Sequence, residues 1–348
     1  MNVKKAGSRD LTVLIAGDMY VNRQDPPSIF TLVAPVMREA DLRIGNQEVA
    51  MSDRGTPTPG KGNLKSLPPA VTALTAAGFD IVNLANNHSM NYGPEALLQT
   101  MDILKQANIA FAGAGRSIAE AHKPAVVERK GTRIALLSYS SVFWPFGFAA
   151  GRESAGIAVV KVETAYKPSR RVFDQPGSPA ITVTMVDPAD QRMMLEDVAN
   201  AKRIADVVVV SWHWGVSEGY RQLVSYQREM GRAALDAGAD LVFGHHPHVP
   251  QGIELHGGKA ICYSLGNFAF DNKSPHYARE SILLRCHIQD KKIVRLSFLP
   301  VLINEDSQPD VVDLEKGRHI VETITELSAS LGTKLTAAGN EVVIYDHT

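Results

Sequence analysis

The chain has 348 residues, 45% of them hydrophobic and 21% charged, with a formal net charge of -1. That balance is ordinary for a globular protein and leaves no bulk field for nucleic acid or an anionic membrane surface. No stretch approaches the roughly 18 apolar residues of a membrane span, and residues 1–10 are short and polar without the apolar core of an export signal, so we expect a soluble, cytoplasmic protein with no nucleic-acid partner and no membrane anchor.

Residues 11–16 form a continuous apolar run that stops at Gly17-Asp18, the pattern of a strand buried on both faces. Helical spacing follows over 29–40, interrupted at Pro35. A second strand over 41–45 delivers Asn46 and Glu48. Residues 51–69 are rich in Gly, Pro and Lys and read as a loop, and a short helix over 69–77 is stopped by Gly78. The strand over 79–84 ends in Ala85-Asn86-Asn87-His88, where Asn86 reads as a turn residue. Pro94 opens a helix to about residue 108, with Leu97, Leu98, Met101 and Leu104 on its apolar face. A short strand covers 109–112, and 124–128 with 133–139 reads as a hairpin around Gly131.

Residues 143–182 are the least regular part. They read as a long insertion with one strand near 157–162, a candidate lid. A helix over 191–205 leads to a β-branched strand over 206–211 that ends in Trp212-His213-Trp214. A helix over 224–237 precedes the strand 240–243, which runs into Gly244-His245-His246-Pro247-His248. Glycine there suits a sharp turn, and Pro247 stiffens the placement of the rings on either side. A strand over 259–265 ends in Gly266-Asn267. Two antiparallel additions, 281–288 and 293–299, are followed by an amphipathic helix over 317–331 and an edge strand over 341–345. We take 11–303 as one domain, with 304–348 packing on it. Cys262 and Cys286 lie in apolar runs and read as small buried side chains. His122, His256, His276, His287, His319 and His347 stand alone and read as surface or core residues.

Five apolar strands stop at a group able to bind a cation or move a proton: Asp18, Asn46 with Glu48, Asn87 with His88, His213, and His246 with His248. In α/β sheets, sites form outside the C-terminal strand ends, so one composite site is expected. Mixed carboxylate, amide and imidazole ligands suit manganese, iron or zinc, as one ion or as two about 3.5–4 Å apart; calcium is also compatible. Without metal, a pairing of His88 with Asp18, and of a second histidine with another carboxylate, would serve acid–base chemistry. Lys61, Arg152, Arg170 and Arg171, in predicted loops, are candidates for holding substrate anions.

Gly17-Asp18, Gly45-Asn46-Gln47-Glu48, Gly78-Phe79-Asp80, Leu84-Ala85-Asn86-Asn87-His88, Tyr92-Gly93, His213-Trp214-Gly215, Gly238-Ala239-Asp240, the 244–248 loop and Tyr263-Ser264-Leu265-Gly266-Asn267-Phe268 together resemble the CapA proteins. That family is named for capsule and poly-γ-glutamate synthesis and lies within the calcineurin-like metallophosphoesterase superfamily. The resemblance implies a four-layer α/β/β/α sandwich of the metallo-dependent phosphatase type. It also implies metal ligation by Asp18, Glu48, Asn87, His213, His246 and His248, and a peptide-like or polyanionic substrate. Metal-activated water would attack, with His88 as the acid and Asp18 and His246 as further catalytic residues. Two other activities fit the resemblance: peptide epimerisation by His/Asp pairs, and a non-catalytic subunit of polymer synthesis. The chain departs from the superfamily pattern at Tyr20, where a histidine is usual, at Asn46 and Glu48, at Asn91, and at Glu218, which is displaced by one residue.

Overall fold

A computed structural model describes residues 10–60, 64–217, 221–272 and 278–348. Lys61 and His276 lie outside the described residues. Among the described residues, two large sheets dominate. The first has ten strands, in the order Thr336–Ala338, Glu341–Asp346, Lys292–Ile303, Glu280–Gln289, Leu11–Tyr20, Leu42–Gln47, Ile81–Asn83 and Ala110–Ala112; Asn267–Phe270 joins it beside Leu11–Tyr20, and Pro309–Val311 beside Lys292–Ile303. The second has six, in the order Ile253–His256, Lys259–Cys262, Leu241–His245, Val207–His213, Thr132–Ser140 and Ala125–Arg129.

Alternation along the strands decides what faces what. Leu11, Val13 and Ile15 point into an apolar layer with Ile44 and Ile81, which also takes in Leu136, Val209, Leu241 and Phe243 of the second sheet. The two sheets therefore share a core. Leu14 and Ala16, on the other face, pack in a cluster with Leu97, Met101 and Leu104 of the helix Gly93–Gln106. The outer face of the second sheet buries Leu137, Val208, Val210 and Val242 against Met194 and Val198 of Pro188–Ile204 and Met230 and Ala234 of Ser225–Asp236.

Leu11–Tyr20, Leu42–Gln47, Ile81–Asn83 and Ala110–Ala112 run parallel. So do Thr132–Ser140, Val207–His213, Leu241–His245 and Lys259–Cys262. Parallel strands bring their C-terminal ends to one edge, which is where the polar groups follow each apolar run.

The structure corrects several expected elements. Residues 29–40 are not one helix: a 3-10 turn, Pro26–Phe30, and a short helix, Ala34–Arg38, divide the segment, because proline is tolerated only in a first helical turn. The insertion carries more than one strand near 157–162. Gly156–Ile157 pairs with Ala114–Gly115, and Val162–Lys167 forms a hairpin with Ile181–Val186. The strand Glu341–Asp346 lies one position in from the edge, covered by Thr336–Ala338. The late antiparallel pair and the hairpin around Gly131 form as expected, the latter between Ala125–Arg129 and Thr132–Ser140. Cys262 and Cys286 are buried free thiols. No helix among the described residues is long and apolar enough to cross a membrane.

Candidate metal centre

Asp18 reaches the centre through a change of partner. Up to Ile15 its strand pairs with Glu280–Gln289, and from Asp18 it pairs with Asn267–Phe270. At the changeover the Gly266 carbonyl comes so close that a Cβ on Gly17 would stand 2.0 Å from its oxygen. Asp18 N–H donates to that same oxygen at 3.0 Å. The Gly17-Asp18 pair is thus a packing requirement that leaves the carboxylate wholly buried.

Gly244 is a strand residue and not the expected sharp turn. A Cβ there would lie 2.1 Å from the Tyr263 carbonyl oxygen and 2.3 Å from Trp214 Nε1, which itself donates to that carbonyl at 2.8 Å. The chain bends after it, at His246 and His248, with φ of 94° and 58°. Left-handed backbone is uncommon for residues other than glycine and gathers at functional sites.

The side chains converge from both sheets. Asn46 Nδ2 donates to Asp18 Oδ1 at 2.8 Å and to Glu48 Oε2 at 2.5 Å. His245 Nδ1 stands 2.9 Å from Asp18 Oδ1, and His248 Nδ1 stands 3.4 Å from Asp18 Oδ2. The His246 backbone N–H donates to Asp18 Oδ2 at 3.3 Å. His213 Nε2 lies 2.8 Å from Asn87 Oδ1 and 3.6 Å from Glu48 Oε1. The rings of His213 and His246 are 4.9 Å apart. Asp18, Glu48 and His213, all buried, each offer one ligand atom, and the three atoms lie within 4.8 Å of one another.

Burial dominates the electrostatics. It pushes the Glu48 carboxyl well above its ordinary value, and the neighbouring Asp18 charge adds to this. Burial would raise Asp18 too, but His245, then His248 and Asn46, hold it below the ordinary carboxylate value. His213 is held well below the usual imidazole value by burial and then by His246, His245, His248 and His88. Its ring is therefore neutral near pH 7, the form that ligates metals. Glu48 Oε1 and His213 Nδ1 are buried with no hydrogen-bond partner among the described residues. An orphaned carboxylate oxygen beside a neutral imidazole is costly in an empty centre and fits a cation.

The sequence-derived ligand candidates Asp18, Glu48, Asn87, His213, His246 and His248 thus lie around one small volume. Asp18 pairs with His245 and His248, and His88, half-buried, instead has its Nδ1 2.9 Å from Asn91 Nδ2. Asn86 makes a turn, its Oδ1 accepting from the His88 and Ser89 N–H groups. Tyr20 packs with Val49 and Phe270. Arg152, Arg170 and Arg171 are exposed on the insertion. The lone histidines pair elsewhere, His122 with Asp197 and His256 with Asp236, each at 2.7 Å. One residue beyond the expected set belongs to the centre, His245, visible in sequence only as part of the histidine run; Asn46, expected among the strand-end groups though not among the ligands, lies there too.

The family model described as "Bacterial capsule synthesis protein PGA_cap" matches residues 10–272. The chain belongs to this family. It is similar to the PGA biosynthesis protein CapA of Bacillus subtilis, 30% identical over 336 residues that cover 93% of this chain and 80% of that one. It is also 30% identical, over 91% of its own length and 73% of the relative's, to the capsule biosynthesis protein CapA of Bacillus anthracis. A probable polyglutamine synthesis accessory protein of Mycobacterium tuberculosis is 28% identical over 74% of this chain and 65% of its own. The CapA resemblance read from the motifs is borne out.

Proposed function

We propose that this PGA_cap protein is a metal-dependent enzyme of capsule or poly-γ-glutamate metabolism, acting on a carboxylate-rich or peptide-like substrate. The observation that carries the reading is the buried convergence of Asp18, Glu48 and His213 with Glu48 Oε1 left unpartnered. The substrate class follows the names of the relatives. The three stacked apolar clusters support a four-layer α/β/β/α arrangement of the metallo-dependent phosphatase type.

In this reading Asp18, Glu48, Asn87 and His213, with His246 and His248 beside them, hold a divalent manganese, iron or zinc ion. When bound, the ion supplies Lewis acidity and charge stabilisation at the reacting centre. His88 supplies the proton. Its ring lies between two amides, with Asn91 Nδ2 2.9 Å from Nδ1 and Asn87 Nδ2 3.4 Å from Nε2. Arg152, Arg170 and Arg171 on the exposed insertion would hold substrate anions, with the insertion as a lid.

A second reading, epimerisation at a peptide Cα, draws on the Asp18–His245 pair at 2.9 Å. One assay separates the two. The purified full chain is incubated in heavy water with poly-γ-glutamate oligomers and, separately, with nitrophenyl phosphodiesters. Cleavage that is lost in His88→Ala while bound metal is retained supports the hydrolase. Deuterium uptake without cleavage supports the epimerase. Neither, from a folded and metal-loaded chain, overturns both and leaves a non-catalytic subunit of polymer synthesis.

A further inference from the structure

Asn46 stands between the two buried carboxylates, and the direction its amide faces can be derived. A backbone N–H can only donate, which fixes the amide oxygen it meets. Ala85 N–H donates to Asn83 Oδ1 at 2.7 Å, so Asn83 Nδ2 is the end that reaches Asn46, at 2.9 Å. Separately, the N–H groups of His88 and Ser89 donate to Asn86 Oδ1 at 3.0 and 2.9 Å. Asn86 Nδ2 must then turn the other way, to Asn46 at 3.2 Å and to the Gln47 carbonyl at 2.8 Å. Both amide donors fall on Asn46 Oδ1. What Asn46 presents to Asp18 and Glu48 is therefore Nδ2, a donor with no lone pair for a cation.

In a carboxylate-bridged two-ion centre, an anionic group is shared by ions about 3.5–4 Å apart. Here the place between the carboxylates is filled by the positive end of an amide. Asp18 Oδ1 and Glu48 Oε2 are each committed to it, which leaves Glu48 Oε1 on the side of His213 Nε2, 3.6 Å away. Tyr20, a further oxygen on the same strand, is turned into an apolar cluster and accepts from Asn22 at 3.1 Å.

We propose that the centre is mononuclear: one divalent ion is held by Asp18, Glu48 and His213 with Asn87, and Asn46 closes the place of a carboxylate-bridged second ion. The inference rests on the metal reading above. Asn46 is a positioning residue: it orients two ligands.

The test counts ions. The full chain is stripped of metal, reloaded with Mn2+ alone and gel-filtered; bound manganese is then measured by mass spectrometry and by electron paramagnetic resonance. One ion per chain with the six-line signal of an isolated Mn2+ is expected. Asn46→Asp, nearly isosteric but anionic, is expected to raise the count to two, with an exchange-coupled signal. Two coupled ions in the unmodified chain, or a count that stays at one in a folded Asn46→Asp, would overturn the proposal. No retained manganese in the unmodified chain would overturn the metal reading itself, and this inference with it. If Asn46→Asp does not fold, the count and signal of the unmodified chain still decide.

Discussion

Asn87 Oδ1 lies 2.8 Å from His213 Nε2, a hydrogen bond between residues 126 positions apart. It joins the loop after Ile81–Asn83 in the first sheet to the end of Val207–His213 in the second. On the metal reading, Asn87→Ala removes an oxygen ligand that stands beside His213 Nε2. Loss of even an outer-shell partner typically costs metal affinity ~10–100-fold. At least about a tenfold loss of Mn2+ affinity is expected, with the fold kept. Competition against a chelating dye measures it; unchanged affinity would remove Asn87 from the centre.

Gly17 and Gly244 are held by close backbone approach, and neither has room for a methyl group. Gly244→Ala must displace both the Trp214 indole and the Tyr263 carbonyl. Overpacking of this kind costs about 1–3 kcal/mol or more. Thermal melts of Gly244→Ala, and of Gly17→Ala against the Gly266 carbonyl, are expected to show a clear loss of stability. A melt within error of the parent at either position would contradict the packing described.

Acid stability is expected to depend on Glu254. Burial would raise its carboxyl, but hydrogen bonds from Arg228, Tyr263 and Arg232 hold it below the ordinary value. Tyr263 Oη donates at 2.6 Å and Arg228 Nη2 at 3.1 Å. A carboxyl whose value is lower in the folded chain adds stability above its unfolded value, about 4.3. That contribution is lost as pH falls through the folded value. Denaturant melts from pH 7 to pH 3 are expected to show less acid-dependent loss in Glu254→Gln than in the parent. Parallel curves would contradict this.

Cys262 and Cys286 are expected to be inert in the native state. Burial pushes the Cys262 thiol up, helped by Cys286, and burial alone raises Cys286 to about 12. The thiolate is the reactive form. Titration with a thiol reagent is expected to find no fast-reacting group before denaturation and two after. A fast native thiol would show that the shared core opens.

The strand ends were readable because apolar runs stop abruptly at single polar residues, as at Asp18 and His213, and one parallel sheet edge gathers such ends. The role of His245 was not. It depends on the second sheet meeting the first, which brings Asp18 within 2.9 Å. The direction of the Asn46 amide was equally hidden, since it depends on the register that sets Asn46 opposite Asn83. Among the elements, Ile253–His256 is four residues long, too short for periodicity to mark. The Val162–Lys167 and Ile181–Val186 hairpin pairs across a connection holding Pro168, Pro176 and Pro179, which breaks the alternation that would have announced it.

Anomalous scattering from crystals of the full chain soaked in Mn2+ tests the convergence most directly. The expected result is a single strong peak within bonding distance of a carboxylate oxygen of Asp18, a carboxylate oxygen of Glu48 and Nε2 of His213. No peak there, or one only at surface histidines such as His256, would contradict the proposal that these buried groups form a metal centre.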